Sequence, residues 1–480
     1  MLKQAVPVLL TLVIVPCVVW TATAGRADAQ YMFDDMKTHM PTGTLHFADD
    51  GASSAINGIN RPPAVCFKNK TYVTYQGVNN APMITVYDHA AKQWGPLLKA
   101  GASPLGDTDT HGAPSMLIDK EGYVHLFFGS HGGKQMYVKS RNPEDITDWV
   151  EMPPIVGNMT YPNAVALESG ELVMIGRTGG GHASPWGEMS SRDGGATWSA
   201  PKSIVDYRPH GIYGATTAGT DGKTLHFGWC FQNKRLTDKH AFMDVMRKKQ
   251  NWWTGVWDER HHVFYAMRDE KGVWRNVEGR ALKTPIGLEQ SFEQCLVYRG
   301  DWPEHGQHPI VEVDSNDRPC LTFVNGRLPD DRKLWTADTV DYDQKFASFD
   351  GTKWNVSSIT QTDSMWDMGQ AVFFGPEKGQ IDVYLVAGGS RIDGRITTYG
   401  RWGGDIQLWR SLDDGKTWKK QADVHTFLRS GRLFNYPTRV VNHHPDGRIV
   451  FVNFTTDQGY RSNDFRHNVY LYGDSGFCRK

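Results

Sequence analysis

An excess of charge of either sign is missing from this chain: its 480 residues carry 52 Lys and Arg against 53 Asp and Glu. No basic tract is dense enough to track a phosphate backbone, so no nucleic-acid partner is expected. Cysteine is scarce. Six are present, and apart from Cys17 near the start they are Cys66, Cys230, Cys295, Cys320 and Cys478, an odd and scattered set that makes no disulfide framework. No apolar run after residue 30 is long enough to cross a bilayer, and no segment shows helical periodicity of any length.

The first residues read as an export signal. Lys3 precedes an apolar core over residues 5–20, and Ala27-Asp28-Ala29 fits an A-x-A cleavage pattern. Cys17 follows Val15-Pro16 without the small residue of a lipoprotein site. The expectation is a signal peptide at 1–29 and a soluble mature chain at 30–480, secreted or periplasmic, with no membrane attachment after cleavage.

What the chain has in quantity is glycine and aromatics: 50 Gly, 17 Trp and 18 Tyr. Gly-rich turns between short aromatic-rich strands suit an all-β protein. The pattern S-x-D-x-G-x-T-W occurs at Ser191–Trp198 and at Ser411–Trp418, and weaker copies end at Trp94, Trp149, Trp274 and Trp354. It resembles the Asp-box of sialidase-like propellers. A four-strand period of about 40–50 residues marks a β-propeller, because one sheet cannot bury both faces alone. The predicted fold is a single seven-bladed β-propeller of four-stranded antiparallel blades. The blades fall at 60–94, 109–149, 161–198, 210–274, 308–354, 370–418 and 435–472, and an N-terminal strand near 44–47 closes the ring. An insertion at 233–260, holding Trp252, Trp253, Trp257 and Arg247-Lys248-Lys249, lies on the rim opposite the Asp-boxes and is placed either to overhang a site or to form a solvated loop.

Two hairpins carry the candidate chemistry. In the first, apolar runs at 113–118 and 123–129 flank a turn at 119–122, so His111 before the first run and His131 after the second return to one end. In the second, Tyr161 precedes the run 164–167 and Arg177 follows the run 172–175. Side by side, the hairpins bring two imidazoles, a phenol and a guanidinium to one rim. His210 and Tyr213 continue the series on the fourth unit and His308 opens the fifth, as candidates for substrate binding. His125 alternates with core-facing positions and reads as structural.

This inventory lacks the carboxylate pair that most glycosidases use. Asp107 and Asp109 stand nearby but come from one turn and cannot flank a bond from opposite sides. Elimination across C4–C5 of a uronic acid has other needs: a cation on the C6 carboxylate, a base for the C5 proton and an acid for O4. Arg177 suits the first, and His or Tyr suits the others.

The segments Asp109-Thr110-His111-Gly112-Ala113-Pro114, Gly122-Tyr123-Val124-His125 and Gly129-Ser130-His131-Gly132 resemble the histidine hairpin of the BNR-repeat propeller lyases, the ulvan lyases and related rhamnose–glucuronate lyases among them. Thr160-Tyr161-Pro162 with Gly176-Arg177 is similar to their next hairpin, and His261–Ala266 with Trp274-Arg275-Asn276 to their fourth unit. The stretch from His131 to Tyr161 is shorter here than in the ulvan enzymes. The resemblance implies His111 and Tyr161 as acid/base pair, His131 assisting, Arg177 neutralising the carboxylate and Tyr213 touching sugar. Which of His111, His131 and Tyr161 is the base differs among relatives. It implies a uronate-containing polysaccharide as partner and no cofactor for the chemistry, with room for a structural zinc or calcium ion; Cys230, Cys295 and Cys320 with a histidine are the zinc candidates, and a monomer is expected. A glycoside hydrolase, α-L-rhamnosidase or sialidase-like, and a non-catalytic glycan-binding propeller are the competing functions. Arg61-Pro62-Pro63 only echoes the sialidase Arg-Ile-Pro.

Overall fold

In the computed structural model the repeated Trp box is the stitch between neighbouring sheets. Ser411 Oγ accepts the N–H of Gly415 (2.9 Å), Asp413 Oδ1 accepts the N–H of Thr417 (2.8 Å), and the Thr417 hydroxyl donates to Asp413 Oδ2 (2.6 Å). Ser191, Asp193, Gly195 and Thr197 repeat these bonds. The turn thus saturates its own polar groups and points the following Trp at the preceding sheet. Trp418 donates its indole N–H to Ser357 (3.0 Å) and packs edge-on against Phe346. Trp198 meets Phe127 at 5.6 Å, and Trp354 meets Tyr265 at 5.5 Å. Trp94 reaches the far end of the chain, stacking on Phe47 (4.2 Å) and donating to the carbonyl of Cys478 (2.9 Å).

The structure describes residues 44–232, 260–301, 304–306, 308–327, 342–362, 364–388, 403–426, 430, 432–454 and 466–480. The expected signal peptide, and all of the 233–260 insertion except Arg260, lie outside them. The described residues are all-β, 54% strand and 4% helical. Antiparallel meanders follow one another. One is Ser115–Ile118, Val124–Phe128, His131–Ser140 and Trp149–Glu151; the next is Ile155–Ala166, Leu172–Thr178, Trp186–Ser191 and Lys202–Val205; a third is Gly211–Ala218, Leu225–Gln232, Arg260–Arg268 and Trp274–Arg275. Leu433–His444, Gly447–Phe454 and His467–Gly473 form the last, and Ala48–Gly51 completes it by pairing with His467–Gly473. This N-terminal strand starts four residues later than the sequence suggested, because Phe47 is committed to the Trp94 and Tyr75 rings.

The first two of these meanders are continuous at one corner. Strand His131–Ser140 pairs with Ile155–Ala166, with Thr160 opposite His131 on one side and opposite Arg177 on the other. Among the described residues the helix Leu288–Gln294 arises where the sequence shows no helical periodicity. Seven residues are too few for an amphipathic repeat to stand out; the helix is fixed by Phe292 packing on Phe264 and His262, and by the Ser291 hydroxyl donating to the carbonyl of Gly287. Among the described residues no helix is long and apolar enough to cross a membrane, and Cys66, Cys230, Cys295, Cys320 and Cys478 are buried and form no disulfide.

Candidate active site

Asp109 builds the site. It caps the 3₁₀ turn Thr110–Gly112, accepting the N–H of His111 (3.0 Å), and its two carboxylate oxygens then receive one imidazole each. Oδ1 bonds Nδ1 of His111, and Oδ2 bonds Nδ1 of His131 at 2.6 Å. The rings lie face to face, 4.0 Å apart and 14° from parallel. Burial pushes the Asp109 carboxyl up, but the His111 and His131 bonds outweigh it and hold the group well below the usual carboxylate range. It is therefore ionised at working pH, so both Nδ1 atoms carry the hydrogen and both Nε2 atoms face away from the carboxylate. Burial lowers the His111 imidazole below its ordinary value, and the Asp109 bond opposes that.

Local backbone bonding holds the pair in place. Asn60 Nδ2 donates to the carbonyl of His111 (3.3 Å), and Gln76 Nε2 donates to that of Thr110 (2.7 Å). On the other side, Gly132 N–H donates to Thr160 Oγ1 (2.7 Å), and the Ser130 hydroxyl donates to the carbonyls of Gly133 and Met159. Gly132 has φ +78°, which lets the chain turn into the third strand immediately behind His131.

Tyr161 lies inside the strand Ile155–Ala166 rather than before a strand, at a register shift between Thr160 and Asn163. Its φ is +60°, a left-handed conformation uncommon for a bulky residue and costing roughly 1–3 kcal/mol. Tyr436, also followed by proline, repeats the conformation at φ +57°, so the Tyr-Pro kink belongs to the repeat and is turned to use at one copy. Asn163 secures it, with Nδ2 donating to the carbonyls of Tyr161 (3.1 Å) and Ile59 (3.0 Å). The phenol ring sits 6.3 Å from each imidazole and 5.5 Å from Tyr213.

Arg177 is 1% exposed. Its guanidinium lies 5.0 Å from the Tyr161 ring and 5.8 Å from that of Tyr213. Nη1 donates to the Tyr213 hydroxyl (3.3 Å) and lies 3.5 Å from His182 Nδ1. Among the described residues no carboxylate comes within ion-pair distance of it, and its buried Nε has no partner. A second guanidinium, Arg260, stacks 3.9 Å from the Tyr213 ring. The structure thus brings His111, His131, Tyr161, Arg177 and Tyr213 into one contact chain. His308 is at its edge, 6.3 Å from Tyr213. His210 packs its ring on Phe231 (5.1 Å).

Three members escaped the sequence reading. Asp109 was weighed only as half of a hydrolytic pair, although a carboxylate two residues before a histidine is a caps-and-orients spacing. His182, after Gly179-Gly180-Gly181, carried a signal in that glycine run. Arg260 had none, since a long insertion separates it from its strand partner Gln232.

Asp109, His111 and His131 are also, among the described residues, the one group of three ligand-type side chains with donor atoms within 4.8 Å of one another. Two ligands of one tetrahedral zinc, each bonded at about 2.0–2.2 Å, stand about 3.3 Å apart. The 2.6 Å contact is that of a His131 N–H donating to the carboxylate. Cys230, Cys295 and Cys320 enter no such group among the described residues.

A rim of paired imidazoles, phenols and guanidinium on Asp-box-stitched sheets defines the class, and the chain belongs to the BNR repeat-containing family, which it matches over residues 70–362. It is similar to an ulvan lyase of Nonlabens ulvanivorans, 27% identical over 470 residues covering 90% of this chain and 89% of that one. It is also similar to an ulvan lyase of the PL25 class from a Pseudoalteromonas strain, 25% identical with 90% and 86% covered. A solved PL25 ulvan lyase bound to -[GlcA(1-4)Rha3S]- shares the fold, with TM-score 0.73 and 22% identity over 91% of this chain and 97% of that one. Within its family the protein is a carbon–oxygen lyase acting on polysaccharide.

Proposed function

We propose that the protein cleaves ulvan, or a closely related rhamnose- and uronate-containing glycan, by β-elimination at C4–C5 of the uronic acid. The observation that carries this is Arg177: a buried, permanently charged guanidinium with no carboxylate beside it among the described residues calls for an anionic ligand group, since an uncompensated buried charge is costly. The C6 carboxylate supplies it and makes the C5 carbanion tolerable. His111 and Tyr161 are the acid/base pair, and His131 assists. Two imidazolium ions 4.0 Å apart would repel by about 4 kcal/mol at an effective dielectric constant of 20, and one carboxylate offsets only one of them. Protonation of both rings at once is therefore disfavoured, so the two Nε2 atoms can divide the basic and acidic roles. That division suits a reaction which removes one proton and delivers another. It needs no cofactor.

The cleavage of ulvan by the relatives supports the substrate. The Trp94 contacts with Phe47 and Cys478 support a closed seven-bladed propeller, and the leader at 1–29 supports export. We take the active species to be a monomer. Tyr161→Phe and His111→Ala should each abolish the ultraviolet absorbance of unsaturated uronate that the wild type generates from ulvan, with the thermal midpoint retained. Substantial activity in either variant removes that residue from the acid/base assignment.

A further inference from the structure

Behind the strand that carries Tyr161 is a cavity of about 290 Å³, bordered by inner-strand residues that include Arg61, Met116, Ala164, Thr216, Glu312 and Arg439. Its charges do not balance. Glu312 accepts from Arg439 Nη1 at 2.6 Å, while Arg61 Nη2 stands 3.9 Å from the same carboxylate. Two guanidiniums against one carboxylate leave one positive charge. Arg61 is 5% exposed, and burial lowers its guanidinium below the ordinary value, with Glu312 opposing.

The donors do not balance either. Arg61 Nη1, Arg439 Nε and the Thr216 hydroxyl are buried without a hydrogen-bond partner, and all three residues line this one cavity. An unmet buried donor is expensive, and an unmet buried charge more so. Three such donors and a net positive charge around one space define the chemistry of the missing partner.

We propose that the cavity binds a small inorganic anion, held by Arg61, Arg439 and Thr216 and partly opposed by Glu312. The site is distinct from the polysaccharide rim but tied to it. Arg61 N–H donates to the carbonyl of Pro162 (3.0 Å), and Ala164 N–H donates to the carbonyl of Arg61 (2.9 Å). Arg61 therefore brackets the kink that presents Tyr161, and the bound anion braces it.

Chloride-35 line broadening on the full-length chain tests this, with sodium chloride as the probe and sodium sulfate as competitor. The expected result is saturable broadening that sulfate reverses, lost in Arg61→Gln and tightened several-fold in Glu312→Gln, which removes the opposing charge while keeping the shape. Should Arg61→Gln not fold, the opposite sign in Glu312→Gln carries the decision. No saturable broadening in the wild type, meaning water alone fills the space, overturns the proposal. So does unchanged affinity in Glu312→Gln, or broadening retained in a folded Arg61→Gln. None of these results depends on whether the rim cleaves ulvan.

Discussion

Replacing Asp109 by asparagine keeps the shape of the clamp and removes its charge. The carboxylate accepts from both imidazoles; an amide oxygen can accept from one, and its NH₂ must then face the other. That second ring has to move its hydrogen to Nε2 or lose the contact, so one outward nitrogen changes from acceptor to donor. Each charge-assisted bond is worth about 1.5–3 kcal/mol against about 0.5–1.5 for a neutral one. A misplaced acid or base costs about 10²–10⁴ in rate. Asp109→Asn should lower kcat about 10²–10³-fold and leave KM within about threefold, because Arg177 and Tyr213, proposed to hold the sugar acid, are untouched. The pH profile gives a second readout. A carboxylate favours the protonated imidazole, so its loss lowers the imidazole pKa, and the alkaline limb of kcat/KM should move to lower pH. Continuous absorbance measurements on ulvan from acid to alkaline pH supply both numbers. More than about a tenth of wild-type kcat, or an alkaline limb that stays in place, refutes the clamp.

Stability should also depend on pH through a histidine outside the site. Burial pushes the His226 imidazole down to about 4, and its Nδ1 is bonded to the Tyr265 hydroxyl. The folded value lies below the unfolded one, so its contribution is complete above about pH 6.5 and is lost as pH falls toward 4, on the order of 3 kcal/mol in all. His226→Gln should flatten denaturant-derived stability across that window, and an unchanged slope contradicts the assignment. Gly195 has φ +87°, and an added Cβ would strike the Tyr137 hydroxyl. Gly195→Ala should therefore cost about 1–3 kcal/mol in urea unfolding, and a neutral result would show that Tyr137 moves aside freely.

Much of this fold was legible because its signals are local. Hairpin turns, the alternation of apolar runs and the Ser-x-Asp-x-Gly-x-Thr-Trp turns each occupy under ten residues, and the bonds they make are internal to those residues. The four site residues could be grouped because each falls at a hairpin end on adjacent units. Finer placement was not legible. Tyr161 was expected ahead of its strand and lies within it, because strand His131–Ser140 extends the sheet beyond the Pro162 kink, a pairing set by tertiary contact. Asp109 was legible only by half: its bonds to His111 are local, but its second bond depends on His131 arriving 22 positions later, which no spacing rule within one turn reveals. The helix Leu288–Gln294 is held by Phe264 and His262 rather than by its own sequence pattern.

The central claim is that one rim of imidazoles, phenol and guanidinium performs elimination rather than hydrolysis, and counting both kinds of chain end tests it. With purified protein and ulvan, new reducing ends and new unsaturated uronate should rise together in equal number from the first turnover. Reducing ends that accumulate without the ultraviolet absorbance would contradict the account.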